Sequence, residues 1–297
     1  MRRAEPRMTE TLYFAVELDG FDETPALLKQ NVADAERAGF TLVTFGDSLV
    51  SSRERLDAGT RAAFVASTTS TLGLAPTVHT LTTEPFFLAT QLASVDHASH
   101  GRGAWVVGVD NSADTHAAVG SEVRSETTAE VRDVIDVAGR LWDSWEDDAV
   151  VRDAESGRYL DPARVHHVRF EGEFFDVVGP LITPRPPQGQ VVVIGDADLG
   201  VTDLLDVALV RGDGIGEQAD TARRDGAALV FADIDHLSKA EALAGVVDGV
   251  RLHLGGAALK ELAVPAHLIR RPTPGLSLRE NLGLPRPVSR YAAAAHE

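Results

Sequence analysis

Cysteine is missing altogether from this 297-residue chain. Its absence excludes disulfides, thiolate metal sites and cysteine nucleophiles, and it is compatible with a reducing cytoplasm. Lysine is nearly missing: Lys29, Lys239 and Lys260 are the only three, so arginine supplies almost all of the positive charge. Basic residues number 28 against 45 acidic ones, and the formal net charge of -17 argues against nucleic acid or an anionic membrane surface as a partner. No uninterrupted apolar run approaches the roughly 20 residues of a membrane span. The arginines of residues 1–10 have no apolar segment after them, so these residues read as a loose tail rather than a signal peptide.

What is present is a repeating unit. Hydrophobic residues make up 44% of the chain, enough to bury a sizeable core in one large domain, here taken as residues 11–297. From Thr71 to Asp110, TSTLGLAPTVHT reads as a strand, EPFFLATQLASVDHAS as a helix and GRGAWVVGVD as a second strand. Phe87, Leu88, Gln91, Leu92 and Val95, at i, i+1, i+4, i+5 and i+8, are expected to give the helix one face that lies on the sheet. A crossover of this length joins parallel strands, and AWVVGV barely alternates because such strands are buried on both faces. Earlier strands are expected at Thr11 to Leu18 and Thr41 to Asp47, with helices at Pro25 to Ala38 and Thr60 to Ser70. After Asp110, NSADTHAAVGSE reads as an acidic loop, and Glu126 to Trp145 as a long amphipathic helix. Residues 150–190 interrupt the pattern with a hairpin, VHHVRF against EFFDVVG, and a proline-rich lead, PLITPRPPQGQ. QVVVIGD, DVALVRGDG, GAALVFADID and GVRLHLGG then bring the strands to eight, with shortened helices between the last of them. Eight such strands specify an α/β fold, the (β/α)8 or TIM barrel, with its excursion between the fourth and fifth strands.

The working face of a barrel lies at the carboxyl ends of its strands. Here those ends carry Glu17 and Asp19, Asp47, Thr77 and His79, Gly108 and Asp110, Asp196 and Asp198, Arg211 and Asp213, Asp233 and Asp235, and His253. Glu17 qualifies as a base if burial raises its pKa, although a solvated strand end is the commoner case. His79 qualifies to orient a substrate or donate a hydrogen bond, and equally as a structural donor. Asp233 and Asp235 share one side of their strand while His236 lies on the other, so no metal site is expected. GDGIG, residues 212–216, is expected to lack both the later glycine and the following long helix of the dinucleotide fingerprint and reads as a plain turn.

GLAPTVHTLTTEPFFLATQLASVDHASHGRGAW resembles the flavin-dependent, bacterial luciferase-like monooxygenases, in particular their nitrilotriacetate monooxygenase branch. RLWDSWEDDAV, FEGEFFDVVGPLITPRPPQGQ and LRENLGLPRPVSRYA are similar to the same branch in order and wording. The resemblance implies a barrel that binds reduced FMN near its strand ends and uses it with oxygen on a small organic substrate. It also implies a separate flavin reductase as donor, since no second nucleotide-binding domain is visible, and a homodimer. Thr77 falls where such enzymes contact the flavin ring, and Asp47 at their second-strand acid. Val106 stands where the branch has asparagine, and Ser125 where it has a phosphate-holding tyrosine. Gly195, Asp196, Ala197 and Asp198 replace a glutamine, alanine, glycine, serine run, which sets Asp198 against a phosphate. Arg102, Arg211 and Arg251 are candidate compensating cations, with Arg211 the best placed. Val106, Val107, Trp105 and Phe45 are candidate walls of a dry pocket, and Gly108 lies beside them. Two alternatives stay open: a deazaflavin cofactor with hydride transfer, and a flavin-free relative with a binding or structural role.

Overall fold

The barrel strands form from short apolar runs, and the first three helices begin where Thr24, Asp57 and Glu84 cap them ahead of an apolar stripe. The computed structural model describes residues 11–21, 23–51, 53–254 and 259–292; the expected tail at 1–10 lies outside them. In order come β1 (Tyr13–Leu18), α1 (Pro25–Ala38), β2 (Leu42–Phe45), α2 (Ala58–Val65), β3 (Gly73–His79), α3 (Pro85–Ala98) and β4 (Ala104–Gly108). The excursion follows: α4 (Ala113–Val119), α5 (Thr128–Asp143), and strands β5 (Val150–Asp153), β6 (Arg158–Leu160), β7 (Phe170–Glu171) and β8 (Asp176–Val177). The return comprises β9 (Val192–Asp196), β10 (Val207–Val210), α6 (Ile215–Arg224), β11 (Leu229–Ile234), α7 (Ala240–Leu243), β12 (Gly249–His253) and α8 (Leu278–Asn281).

Eight of these strands close into a parallel barrel in the order β1, β12, β11, β10, β9, β4, β3, β2. The expected barrel and its excursion between the fourth and fifth barrel strands are therefore both present, since β4 pairs directly with β9. α1 starts where Thr24 accepts a hydrogen bond from Leu27 N and stops at Gly39, whose φ of 91° only glycine adopts cheaply. Two expectations need correction. The acidic loop after Asp110 contains α4, capped by Ser112 and closed by Gly120; at seven residues it is too short to show a helical period. A second hairpin, β5 with β6, precedes the expected one. It is mostly exposed, so no buried alternation announces it. The late helices are short as expected, and β9 reaches β10 through two 3-10 turns alone.

Alternation divides the apolar residues between two cores. Phe14, Val16, Val43, Phe45, Leu74, Trp105 and Val107 face outward into the layer between barrel and helices. Tyr13, Ala15, Ala75, Val106, Ile194, Leu209 and Phe231 face the barrel interior. Val106 is thus the one expected pocket wall that points inward. Trp105, Val107 and Phe45 point the other way, because neighbours on a strand face opposite sides.

The amino-terminal end of the barrel is closed by α8 and the residues after it. Leu278, Leu282 and Leu284 pack into the interior core. Gly73 is needed there: a Cβ on it would lie 2.7 Å from Leu278 Cδ1 and 2.9 Å from Leu42 Cβ. Arg279 fastens the plug, donating to both carboxylate oxygens of Asp206 at 2.9 and 2.7 Å and to the carbonyls of Gln190 and Val191. Arg185, almost fully buried, bonds Asp143 twice and reaches Asp147. Asp96, fully buried on α3, accepts from Gly103 N and Gln188 Nε2, and burial pushes its carboxyl up to about 6. Arg102 spends its guanidinium on Thr69, Leu72 and Ala66, away from the mouth.

Candidate active site at the barrel mouth

At the opposite end, β3 and β4 form an arc almost without charge. Thr77 lies beside Val106 and His79 beside Gly108 in the register of the two strands. Gly108 is required by the histidine, since a Cβ there would stand 2.7 Å from His79 Nδ1. His79 Nε2 lies 3.3 Å from the carbonyl of Asp47. A carbonyl only accepts, so Nε2 is the donor in this contact, and the buried Nδ1 has no hydrogen-bond partner among the described residues. The donor role expected of His79 is therefore already used within the chain. Asp47 is also occupied: its carboxylate accepts from Ser48 N and Ala58 N, each at 2.8 Å, and so shapes the loop leading into α2.

The facing arc, on β1, β12 and β11, is a knot of charge. Arg251 grips Asp233 with Nε and Nη2 at 2.7 and 2.8 Å and reaches Glu17 with Nη1 at 3.1 Å. His253 lies between the same two acids, 3.4 Å from Glu17 and 3.3 Å from Asp233. The barrel register makes this possible, pairing Glu17 with His253 and Asp233 with Arg251. Each group alters the others. Hydrogen bonds to Asp233 and Glu17 raise His253 to about 9, so it is protonated at neutral pH. Burial pushes Asp233 up, but the bonds from Arg251 and His253 outweigh it and leave the carboxyl at about 2. Burial likewise pushes Glu17 up, and the His253 bond and Arg251 charge bring it below the ordinary range. Glu17 is consequently a fixed anion, and the raised pKa that a base role demands is not found. Sequence reasoning saw these four groups singly and missed the knot.

A third sector follows β9 and β10. Arg211 bonds Asp196 at 2.6 Å and lies 3.9 Å from Asp198. Burial pushes the Asp196 carboxyl up in spite of that arginine. Asp198 does not plug the barrel; it sits on the 3-10 turn after β9 with its side chain 77% exposed. Its neighbourhood meets α5, where Thr128 Oγ1 donates to Leu199 O, and Arg132 there is paired with Asp203. Ser125, nearby in sequence, is exposed. Arg124 is committed to Glu130 at 3.0 Å. Thus the ring end of a flavin would meet an uncharged wall at Thr77, Val106 and Gly108, whereas the positions expected around its phosphate hold acids, the exposed Ser125, and arginines that are paired with acids or turned away from the mouth. The phosphate does not fit this donor set. Among the described residues there is no group of three side chains suited to a metal ion, and no helix long and apolar enough to cross a membrane.

A closed parallel barrel with a strand-end mouth of this kind defines the class, and residues 9–252 match the family model of the luciferase-like monooxygenases. The chain belongs to that family, whose members are flavin-dependent enzymes. It is 31% identical over 274 residues to one of the subunits of the pristinamycin IIA synthase of Streptomyces pristinaespiralis, a match covering 91% of this chain and 92% of that one. Nitrilotriacetate monooxygenase component A of Aminobacter aminovorans is 39% identical over 142 residues, 47% of this chain and only 31% of that relative. The structure of a long-chain alkane monooxygenase superposes with a TM-score of 0.80 at 17% identity, covering 93% of this chain and 96% of that chain. Other proteins of this fold include one solved with FMN and one dependent on F420.

Proposed function

We propose that the chain serves a monooxygenation in which a reduced flavin, delivered by a separate reductase, and molecular oxygen act on a small organic substrate. One oxygen atom enters the product, the other leaves as water, and the flavin is oxidised. The observation that supports this most is the two-sided mouth, with Thr77, Val106 and Gly108 on an uncharged arc facing the fixed charges of Glu17, Arg251, Asp233 and His253. The flat ring would lie against the uncharged arc, where nearly buried Val106 helps exclude water. His79 is a positioning residue there through its bond to the Asp47 carbonyl. FMN is supported at the ring end alone, and no described residue favours the deazaflavin alternative. We extend the reading to a homodimer, consistent with the exposure of Phe64 on α2 and Phe87 on α3.

A second reading has an observation of its own. Asp196 and Asp198 stand where the resemblance would put the flavin phosphate, and a relative matched over 92% of its length is one of the subunits of a synthase; both suit a flavin-free chain that assists a flavin-bearing one. Isotope labelling separates the two. The purified chain is supplied with a flavin reductase, NADH, a flavin, labelled oxygen gas and a panel of thioethers, amines and ketones. The first reading expects a product carrying one labelled oxygen. Flavin oxidation at the same rate with and without the chain, and no labelled product, would count against it.

A further inference from the structure

The charges left over after pairing decide which ligands this mouth admits. The cations that the strand ends bring to it, Arg211, Arg251 and His253, each face carboxylates within the chain. A ligand phosphate arriving there would have to compete with Glu17, Asp233 or Asp196 for a cation already held.

The start of α6 is the other place where a phosphate would ordinarily dock. This ten-residue helix opens at Gly214, whose φ is 71° and which provides no side-chain cap, so the first-turn N–H groups have no capping side chain. An open helix start of this kind attracts anions. Here it borders a cleft of about 360 Å³ whose lining includes Asp198, Asp213, Glu217 and Asp225. The residues 212–216, read from sequence as a plain turn, do lead into a helix, but acids surround its positive end.

We propose that this mouth rejects phosphate monoesters and takes its flavin as the dephosphorylated nucleus with an uncharged polyol tail. The inference rests on the reading that a flavin ring lies in the mouth, and it assigns the form of that flavin. Asp196 and Asp198 are the residues that set the choice. They stand on the β9 rim, where the tail of a ring seated against β4 would emerge, because β9 is the next strand of the barrel. A phosphate dianion there meets two carboxylates and an Arg211 already paired with Asp196, whereas hydroxyl groups can donate to the same carboxylates.

The test is an equilibrium titration of the full chain with riboflavin and with FMN, read by quenching of flavin fluorescence, at low salt and at about 1 M salt. The expected result is riboflavin tighter than FMN by about tenfold or more at low salt, with the gap shrinking at high salt as the repulsion is screened. Asp196→Asn combined with Asp198→Asn is expected to strengthen FMN binding and to weaken riboflavin binding, whose hydroxyls lose their carboxylate acceptors, so that the gap between the two closes. Asp198→Asn alone, at an exposed position, supplies the same comparison if the double variant does not fold. FMN binding as tightly as riboflavin, or more tightly, would overturn the inference while leaving a flavin in the mouth. Binding of neither at saturation would overturn both.

Discussion

Arg251→Met is expected to destabilise the folded chain by about 3 to 5 kcal/mol, the usual consequence of removing one partner from a buried ion pair. The guanidinium side chain is 7% exposed and makes two short bonds to Asp233, itself 10% exposed, plus one to Glu17. Methionine fills similar space but leaves two desolvated carboxylates facing one imidazolium. His253 cannot replace it, because at 40% exposure its ion pairs are partly screened by solvent. Urea denaturation at neutral pH measures the loss, and a value within about 0.5 kcal/mol of the parent, the range of ordinary surface changes, would contradict the role assigned to Arg251. The double variant Arg251→Met, Asp233→Asn should lose less than the sum of the single changes, since each removes the other's unpaired charge.

The knot also gives stability a pH dependence whose sign is fixed. His253 is raised from 6.5 to about 9, so its contribution is complete below pH 6.5 and is lost as pH rises through about 9. Asp233 is lowered from 3.8 to about 2, so its contribution is complete above pH 3.8 and is lost as pH falls through about 2. In the denaturation series, His253→Gln should flatten the decline between pH 6.5 and 9.

Arg279→Ala is expected to cost about 3 kcal/mol or more at the other end of the barrel. The change removes the bidentate partner of Asp206 and leaves the Gln190 and Val191 carbonyls short of a donor. Asp206 would retain the Val193 N–H as its bond to β9. The loss extends beyond one ion pair, because Leu278, Leu282 and Leu284 stay inside the barrel only while α8 is held there. Thermal unfolding should show the cost, and proteolysis under native conditions should cut within residues 270–292 far sooner than in the parent. Arg279→Lys should recover only part, since an ammonium cannot reproduce the forked geometry. Parent-like unfolding and protease resistance in Arg279→Ala would remove α8 from the account of the barrel floor.

The architecture was legible because its signals are local. Each barrel strand is a short apolar run, and the motifs that carry the family resemblance turn out to serve the frame. Asp96 in the ASVDH segment ties α3 to β4 and Gln188, Arg185 in the proline-rich lead clamps Asp143, and Arg279 in LRENLG locks the plug. The mouth was less legible because its contacts depend on closure. Glu17, Asp233, Arg251 and His253 belong to three strands, and β12 comes between β1 and β11 only when the sheet becomes a ring. The inward or outward direction of Trp105, Val107 and Phe45 was hidden in the sequence, since a strand buried on both faces displays no alternation. The register with Thr77 puts Val106 inside and its two neighbours outside. The acidity of the β9 rim, by contrast, was visible in the sequence itself, where Asp196 and Asp198 replace uncharged residues of the related branch.

A flavin ring is expected to occupy the space between the uncharged arc of β3 and β4 and the charge knot opposite. A crystal structure of the chain grown with saturating riboflavin tests this directly. The prediction is a tricyclic ring in van der Waals contact, within about 4 Å, of Thr77 and Val106. A ring bound elsewhere on the molecule, or a mouth without one at saturation, would contradict it.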